Sequence, residues 1–302
     1  MRTLLLFLSR QRRLRRWMET SPMARRLASR FVAGDTLADA LAVGRRLNTE
    51  GFFLTLDHLG ENVNSLAEAA SSRDAYLQAL AAIGREHVQA NVSIKPTQFG
   101  MDLSETVCRD NVEQVVRRAA ELDNFVRIDM ESSAYTDRTL RLASALHEKY
   151  GSVGAVIQAY LRRSEADIEM LCERGIRVRL CKGAYLESAS VAFHRKSEVD
   201  RNFLQLMKIL LDKGVYPAIA THDERMILQT KAYAQARGIG RERFEFQMLY
   251  GIRRDIQRRL VNDGFRLRLY VPFGKAWYPY FMRRLAERPA NLFFLARNLF
   301  RS

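Results

Sequence analysis

Apolar and polar positions alternate between two periods from about residue 36 to the end of the chain. Short runs rich in β-branched and aromatic residues, suited to strands, fall at about Phe52–Leu56, Ala90–Lys95, Phe125–Met130, Gly154–Tyr160, Ile176–Cys181, Val215–Thr221, Phe244–Gln247 and Leu267–Val271. Between them apolar residues recur at helical spacing over 36–50, Val107–Leu122, Thr136–Tyr150, Glu165–Arg174, Val199–Lys213 and Glu224–Gly238. Asp35 is the expected N-cap of the first of these helices, and Gly151, Gly175, Gly214 and Gly238 stand where helices close. Strand and helix alternating eight times over 302 residues, without a Pro/Gly linker, predict an α/β protein. A (β/α)8 TIM-type barrel is the leading architecture, and an open doubly wound sheet is the alternative.

A second pattern lies inside the strands, whose successive side chains point to opposite faces. Asn91, Ser93 and Lys95 share one parity, as do Arg127 and Asp129, Gln158 and Tyr160, Arg177 and Arg179, Glu245 and Gln247, and Arg266, Arg268 and Tyr270. A parallel strand buried on both faces normally shows a continuous apolar run, so this polar parity is unusual. If the apolar parity packs on outer helices, the polar one lines the barrel interior. Lys95, Asp129, Gln158, Arg179, Gln247 and Tyr270 then gather at the C-terminal strand ends, where barrel enzymes keep their catalytic groups. A purely structural buried network, with Arg179 paired to Asp129, is the alternative use of the same residues.

The last helical stretch is Tyr280–Glu287. At about 100° per residue, Tyr280, Arg283, Arg284 and Glu287 fall on one side, and Phe281, Met282, Leu285 and Ala286 on the other. Two guanidiniums on one face repel each other, so a carboxylate or phosphate recognised by both is their natural partner. A solvated helix face is the plain alternative.

Composition narrows the partners. The net charge of +15 invites a nucleic-acid or acidic-membrane reading. The arginines are nevertheless spread along the chain and cluster only at Arg10, Arg12, Arg13, Arg15, Arg16, Arg25, Arg26 and Arg30, with no zinc-finger, RRM or KH signature. Nucleic acid is therefore not the expected partner. Cys108, Cys172 and Cys181 have neither CxxC spacing nor histidine-rich surroundings, which argues against a disulfide framework or a metal site. The apolar run in Met1–Ser9 is too short for a signal peptide or a membrane span. With the basic residues after it, it fits a helix lying on a membrane surface, a transit peptide by charge, or a helix packed on the domain. Residues 1–30 are accordingly read as a basic helical extension and 31–302 as the barrel.

The ordered motifs Leu59-Gly60-Glu61, Ser93-Ile94-Lys95, Ile128-Asp129-Met130-Glu131, Arg179-Leu180-Cys181-Lys182-Gly183-Ala184-Tyr185, Ala220-Thr221-His222-Asp223, Phe244–Gly251 and Tyr280-x-x-Arg283-Arg284-x-x-Glu287 together carry a resemblance. The sequence resembles the monofunctional proline dehydrogenases, flavin-dependent enzymes that oxidise L-proline. The resemblance implies a distorted (β/α)8 barrel with a final helix over its mouth. It also implies non-covalently bound FAD at the C-terminal face, which agrees with the lack of a GxGxxG turn after the first strand. It further implies hydride transfer from proline C5 to flavin N5, giving Δ1-pyrroline-5-carboxylate, and a quinone or similar electron acceptor.

Carried over by motif, Lys95, Arg283 and Arg284 are similar to the trio that binds the proline carboxylate, and Tyr270 and Tyr280 to the residues around its ring. Asp129 and Arg179 resemble the catalytic pair, Arg179 lying beside the flavin. Met130, Gln158, Lys182, Gly183, Ala184, Thr221 and His222 match FAD-contacting positions, and Glu61 a gating glutamate. Leu186 and Phe273 depart from the family's aromatic and tyrosine preferences at their positions. The implied location is cytoplasmic, with peripheral contact at the inner face of the membrane, or mitochondrial in a eukaryote. Two readings compete. The first is a flavin barrel acting on a hydroxylated proline, another cyclic imino acid or a folate, a bulky Tyr270 disfavouring 4-hydroxyproline among them. The second is a colourless binding module for nucleic acid or anionic lipid acting through residues 1–30.

Overall fold

The computed structural model describes residues 28–60 and 63–287, with isolated positions at 11, 18, 21 and 24, and the backbone alone for 283–287. Glu61, most of the 1–30 extension and the apolar segment after 287 lie outside the described residues.

The strands are β1 (Phe53–His58), β2 (Ala90–Ile94), β3 (Val126–Ile128), β4 (Val153–Gln158), β5 (Val178–Cys181), β6 (Ala218–Ala220), β7 (Glu245–Leu249) and β8 (Leu267–Phe273). All neighbouring pairs are parallel and run in chain order, and the sheet closes on itself through β1 and β8. The expected (β/α)8 barrel is thus observed, and the open sheet is excluded. The helices are α1 (Leu37–Thr49), α2 (Leu66–Arg85), α3 (Glu105–Glu121), α4 (Thr136–Tyr150), α5 (Ser164–Glu173), α6 (Lys196–Lys213), α7 (Glu224–Ala236), α8 (Arg254–Asn262) and α9 (Trp277–Glu287).

Local chemistry corrects some boundaries. Helix α1 is capped by Thr36, not Asp35. Thr36 is extended, its side chain accepts from the Asp39 N–H, and Asp39 accepts the Thr36 N–H in return at 2.9 Å. Gly151, Gly175 and Gly238 adopt the left-handed conformation expected after a helix, whereas Gly214 is extended, with φ −79° and ψ 153°. Helices α2 and α8 have no counterpart in the hydrophobic pattern. The first is rich in Ala, which blurs its apolar face, and the second is short and Arg-rich, its core-facing stripe resting on Ile256, Gln257 and Leu260 alone.

Strand parity sorts the side chains as anticipated. Leu54, Leu56, Val92, Ile94, Val126, Ile128, Val178, Leu180, Phe246, Met248, Leu267 and Leu269 form one buried cluster with the helices. The opposite parity fills the barrel with polar groups, including Thr55, Asn91, Ser93, Arg127, Arg179, Glu245 and Gln247, all buried. Thr55 donates to Asn91 at 2.5 Å across the β1–β2 register.

A second apolar cluster joins Ala24, Ala28, Phe31 and Val32 to Leu59, Ile252 and the start of α9, with Trp277, Tyr278, Tyr280, Phe281 and Met282 all buried. At the described start of that expected two-faced helix, Tyr280 is buried together with Phe281 and Met282, so the alternative of a solvated face does not hold at Tyr280. Neighbouring segments cover both sides, and a helix covered all round does not show a solvated stripe.

Candidate active site

The candidate site forms where strands end. Lys95 directly follows β2, Asp129 directly follows β3, Asp57 lies near the end of β1, and Tyr270 lies midway along its hydrogen-bonded neighbour β8. The Lys95 Nζ donates to Asp57 Oδ1 at 2.7 Å and to Tyr270 Oη at 3.1 Å, and lies 3.7 Å from Asp129 Oδ2. Tyr270 Oη in turn donates to Asp129 Oδ2 at 2.7 Å. The other Asp129 oxygen accepts from Arg179 Nη1 at 2.7 Å and from Ser93 Oγ at 2.6 Å. Arg179 Nε donates to Gln247 Oε1 at 2.5 Å. Six strands thus feed one charged network, which includes the Arg179–Asp129 pair. The Nη2 of Arg179 stays buried with no hydrogen-bond partner among the described residues.

The two carboxylates flanking Lys95 are driven apart. Burial alone would raise the Asp129 pKa, but Arg179 and Lys95, with hydrogen bonds from Ser93 and Tyr270, hold it below the usual carboxylate range. For Asp57, burial wins over the attraction of Lys95 and the pKa is raised. Tyr270 is pushed well above the ordinary phenol value by burial and by Asp129, so it remains a hydrogen-bond donor. An ionised acid, a cation and a carboxyl displaced toward its neutral form within one network is the pattern of pKa values pulled apart at reactive sites.

A second group of residues flanks this network. Gln158, the last residue of β4, donates through Nε2 to the Met130 carbonyl at 3.2 Å, and its Oε1 is buried without a partner among the described residues. Lys182 follows β5 and donates to Asp200 at 2.5 Å and to Asp223 at 2.8 Å. Gly183 has φ +99°, and a Cβ there would meet the Tyr160 ring at 2.2 Å, so only glycine fits this turn. Ala184 beside it is exposed. Thr221 follows β6, and its hydroxyl accepts from the Asp223 N–H at 3.1 Å. His222 Nε2 accepts the Leu249 N–H at 2.9 Å, so the ring proton of the neutral imidazole resides on Nδ1.

Lys95, Asp129, Arg179 and Tyr270 are therefore brought together, with Met130, Gln158, Lys182, Gly183, Ala184, Thr221 and His222 on the adjoining strand ends. Tyr280 is buried in the second cluster, and the backbones of Arg283 and Arg284 belong to α9. The principal residue that sequence reasoning missed is Asp57. The expected first strand stopped at Leu56, although Phe53, Thr55 and Asp57 continue a single parity into the site. Asp200, the partner of Lys182, lies on α6 and carries no strand-parity signal.

The family model described as proline dehydrogenase matches residues 40–297. The chain is 40% identical over 299 residues to proline dehydrogenase 1 of Bacillus subtilis (strain 168), covering 99% of both chains. It is 39% identical over 278 residues to the proline dehydrogenase of Deinococcus radiodurans, covering 90% of each. Among solved structures, proline utilization A from Bdellovibrio bacteriovorus, inactivated by N-propargylglycine, superposes with a TM-score of 0.81 at 29% identity. That match covers 87% of this chain and 32% of the larger protein. A closed parallel barrel with its polar groups converging on one end, matched along almost its whole length, makes this chain a member of the proline dehydrogenase family.

Proposed function

We propose that the chain oxidises L-proline to Δ1-pyrroline-5-carboxylate with FAD at the C-terminal end of the barrel. Proline dehydrogenases catalyse the first step of proline catabolism, and a flavin is the family's cofactor. The observation that carries this reading is the buried network of Lys95, Asp57, Asp129, Tyr270 and Arg179 at the strand ends. The residues also fit a flavin. Arg179 Nη2 and Gln158 Oε1 are buried polar atoms that lack a partner among the described residues, and each suits a heteroatom-rich ring. The left-handed turn at Gly183 and the cation of Lys182 suit the more polar part of a dinucleotide.

In this reading Met130, Gln158, Arg179, Lys182, Gly183, Ala184, Thr221 and His222 hold FAD. When bound, the flavin supplies the two-electron acceptor for the hydride of proline C5. The protein contributes orientation and charge. Lys95, whose Nζ is fixed between Asp57 and Tyr270, joins Arg283 and Arg284 in gripping the substrate carboxylate, while Tyr270 and Tyr280 pack on the ring. Arg179 is held on Asp129, Ser93 and Gln247, so its remaining donor is oriented before substrate arrives and favours developing negative charge. Asp129 keeps Arg179 in place, and Glu61 gates the entrance by pairing with Arg283. Electrons leave to an acceptor, for which we propose a membrane quinone. A cytoplasmic enzyme whose basic residues 1–30 touch the membrane surface fits that acceptor. Among the described residues no helix is long and apolar enough to cross a membrane.

The direct test is anaerobic mixing of the purified flavin-loaded protein with L-proline while the visible absorbance is recorded. Bleaching of the flavin bands is expected. A spectrum unchanged at saturating proline would overturn the substrate proposal, and protein purified without any flavin absorbance would overturn the cofactor proposal.

A further inference from the structure

At the opposite, N-terminal end of the barrel, a cleft of about 380 Å³ is lined by Phe53, Arg177, Tyr216, Arg266 and Arg268. Three guanidiniums and two rings at this end form a continuous stack. The Arg127 guanidinium lies 4.9 Å from the Phe125 ring, Arg177 lies 5.2 Å from that ring and 5.6 Å from Tyr216, and Arg266 lies 5.6 Å from Tyr216. Arg268 sits 5.5 Å from Phe53. The stack depends on Gly154, where a Cβ would come within 2.7 Å of Arg127 Nη1 and 2.4 Å of the Arg177 carbonyl.

Charge in this region is out of balance. Among the described residues, Glu245 is the only carboxylate in an ion pair with any of these arginines, and it pairs with Arg268 at 2.8 Å. Its other oxygen accepts from Tyr216 Oη at 3.2 Å, and Gln247 donates to the oxygen that Arg268 holds. Arg127 spends its Nη1 on two backbone carbonyls, while its Nε is buried without a partner among the described residues. Arg177 and Arg266 face solvent and make no ion pair among the described residues. Tyr216, between them, holds φ +46°, a left-handed backbone that a tyrosine keeps only where its surroundings impose it. Rings stacked on guanidiniums orient them but do not neutralise them. Forked cations held in place around a cleft of small-molecule size are suited to an oxyanion bound bidentately.

We propose that this cleft binds a small multivalent oxyanion, a di- or tricarboxylate or a phosphorylated compound, at a site separate from that of proline. The arrangement does not depend on the proposed chemistry at the other end, so the two can fail independently. The test uses the full-length, flavin-loaded protein titrated calorimetrically with citrate and, separately, with inorganic pyrophosphate, at ionic strength matched with NaCl. Saturable binding of at least one probe, undisturbed by excess proline, is expected. The double variant Arg177→Ala/Arg266→Ala should weaken it at least tenfold while proline turnover is retained. Preference for citrate would identify a carboxylate ligand, and preference for pyrophosphate a phosphorylated one.

The proposal is overturned if neither probe titrates, if NaCl alone reproduces the heat, or if the double variant binds as tightly as the parent. Should the alanine variant not fold, Arg177→Lys/Arg266→Lys keeps the charge and removes the forks. Undiminished affinity in that variant would reduce the effect to general electrostatics and would equally overturn the site.

Discussion

At the scale of single residues, the network around Lys95 separates groups that look equivalent in sequence. Asp57 and Asp129 both follow apolar stretches and both end buried, yet one is displaced toward its neutral form and the other held ionised. The difference lies in cations, since Asp129 touches Arg179 and approaches Lys95, whereas Asp57 touches Lys95 alone among them. Replacing Asp129 by Asn should leave the Arg179 guanidinium buried without its counter-charge. A loss of about 3–5 kcal/mol is expected, read as a lowered urea midpoint in chemical unfolding. Sequence parity found Lys95, Asp129, Arg179 and Tyr270 because each prolongs a strand's polar face. It could not show that Asp129 is shared by Arg179, Ser93 and Tyr270, because that sharing is set by barrel closure and not by any one strand.

At the scale of elements, the proposed binding site draws on the loops after the strands and on the final helix. Gly183 is an instance, since its left-handed turn lies against the Tyr160 ring. Gly183→Ala is expected to lower the ratio of flavin to protein absorbance of the purified enzyme, with the barrel's far-ultraviolet circular dichroism retained. For α9, Arg284→Met should raise the Michaelis constant for proline at least tenfold, about 1.4 kcal/mol, in steady-state kinetics. Unchanged kinetics would remove Arg284 from the carboxylate grip. The elements themselves were largely legible. Helix α4 was anticipated to the residue, and every strand was placed with ends shifted by a few positions. Helix α2 escaped because burial along an Ala-rich helix depends on small residues that leave little apolar period, and α8 because its apolar face, Ile256 and Leu260, is too short to stand out in the pattern. The buried Tyr280 escaped because the segment that covers it is distant in sequence.

At the scale of the whole molecule, charge runs the length of the barrel interior, from Arg268 and Glu245 near one end to Lys95 and Asp57 at the other. For Glu245 burial opposes ionisation, but Arg268, Gln247 and Arg127 outweigh it and the pKa is lowered. A carboxylate with a folded-state pKa below its unfolded one binds fewer protons when folded. Its stabilisation is therefore fully present above the unfolded value of about 4.3 and is lost as pH falls through the lower folded value. Glu245→Gln should be destabilised most at neutral pH, and its difference from the parent should shrink as the buffer is taken below about pH 4. Urea denaturation at pH 7 and pH 3 checks this, and a gap that does not narrow on acidification would deny Glu245 that role.

The seam between β1 and β8 has a temporal consequence. Residues 53–58 pair with residues 268–273, and the site draws Asp57 from one side of that seam and Tyr270 from the other. During synthesis the first strand must wait, unpaired on that edge, until residues 268–273 have left the ribosome. Contacts so distant along the chain form late and slowly, so the nascent protein passes through a stage with exposed strand edges that is prone to aggregation. Any ligand that contacts both sides of this seam can be captured only after the barrel has closed.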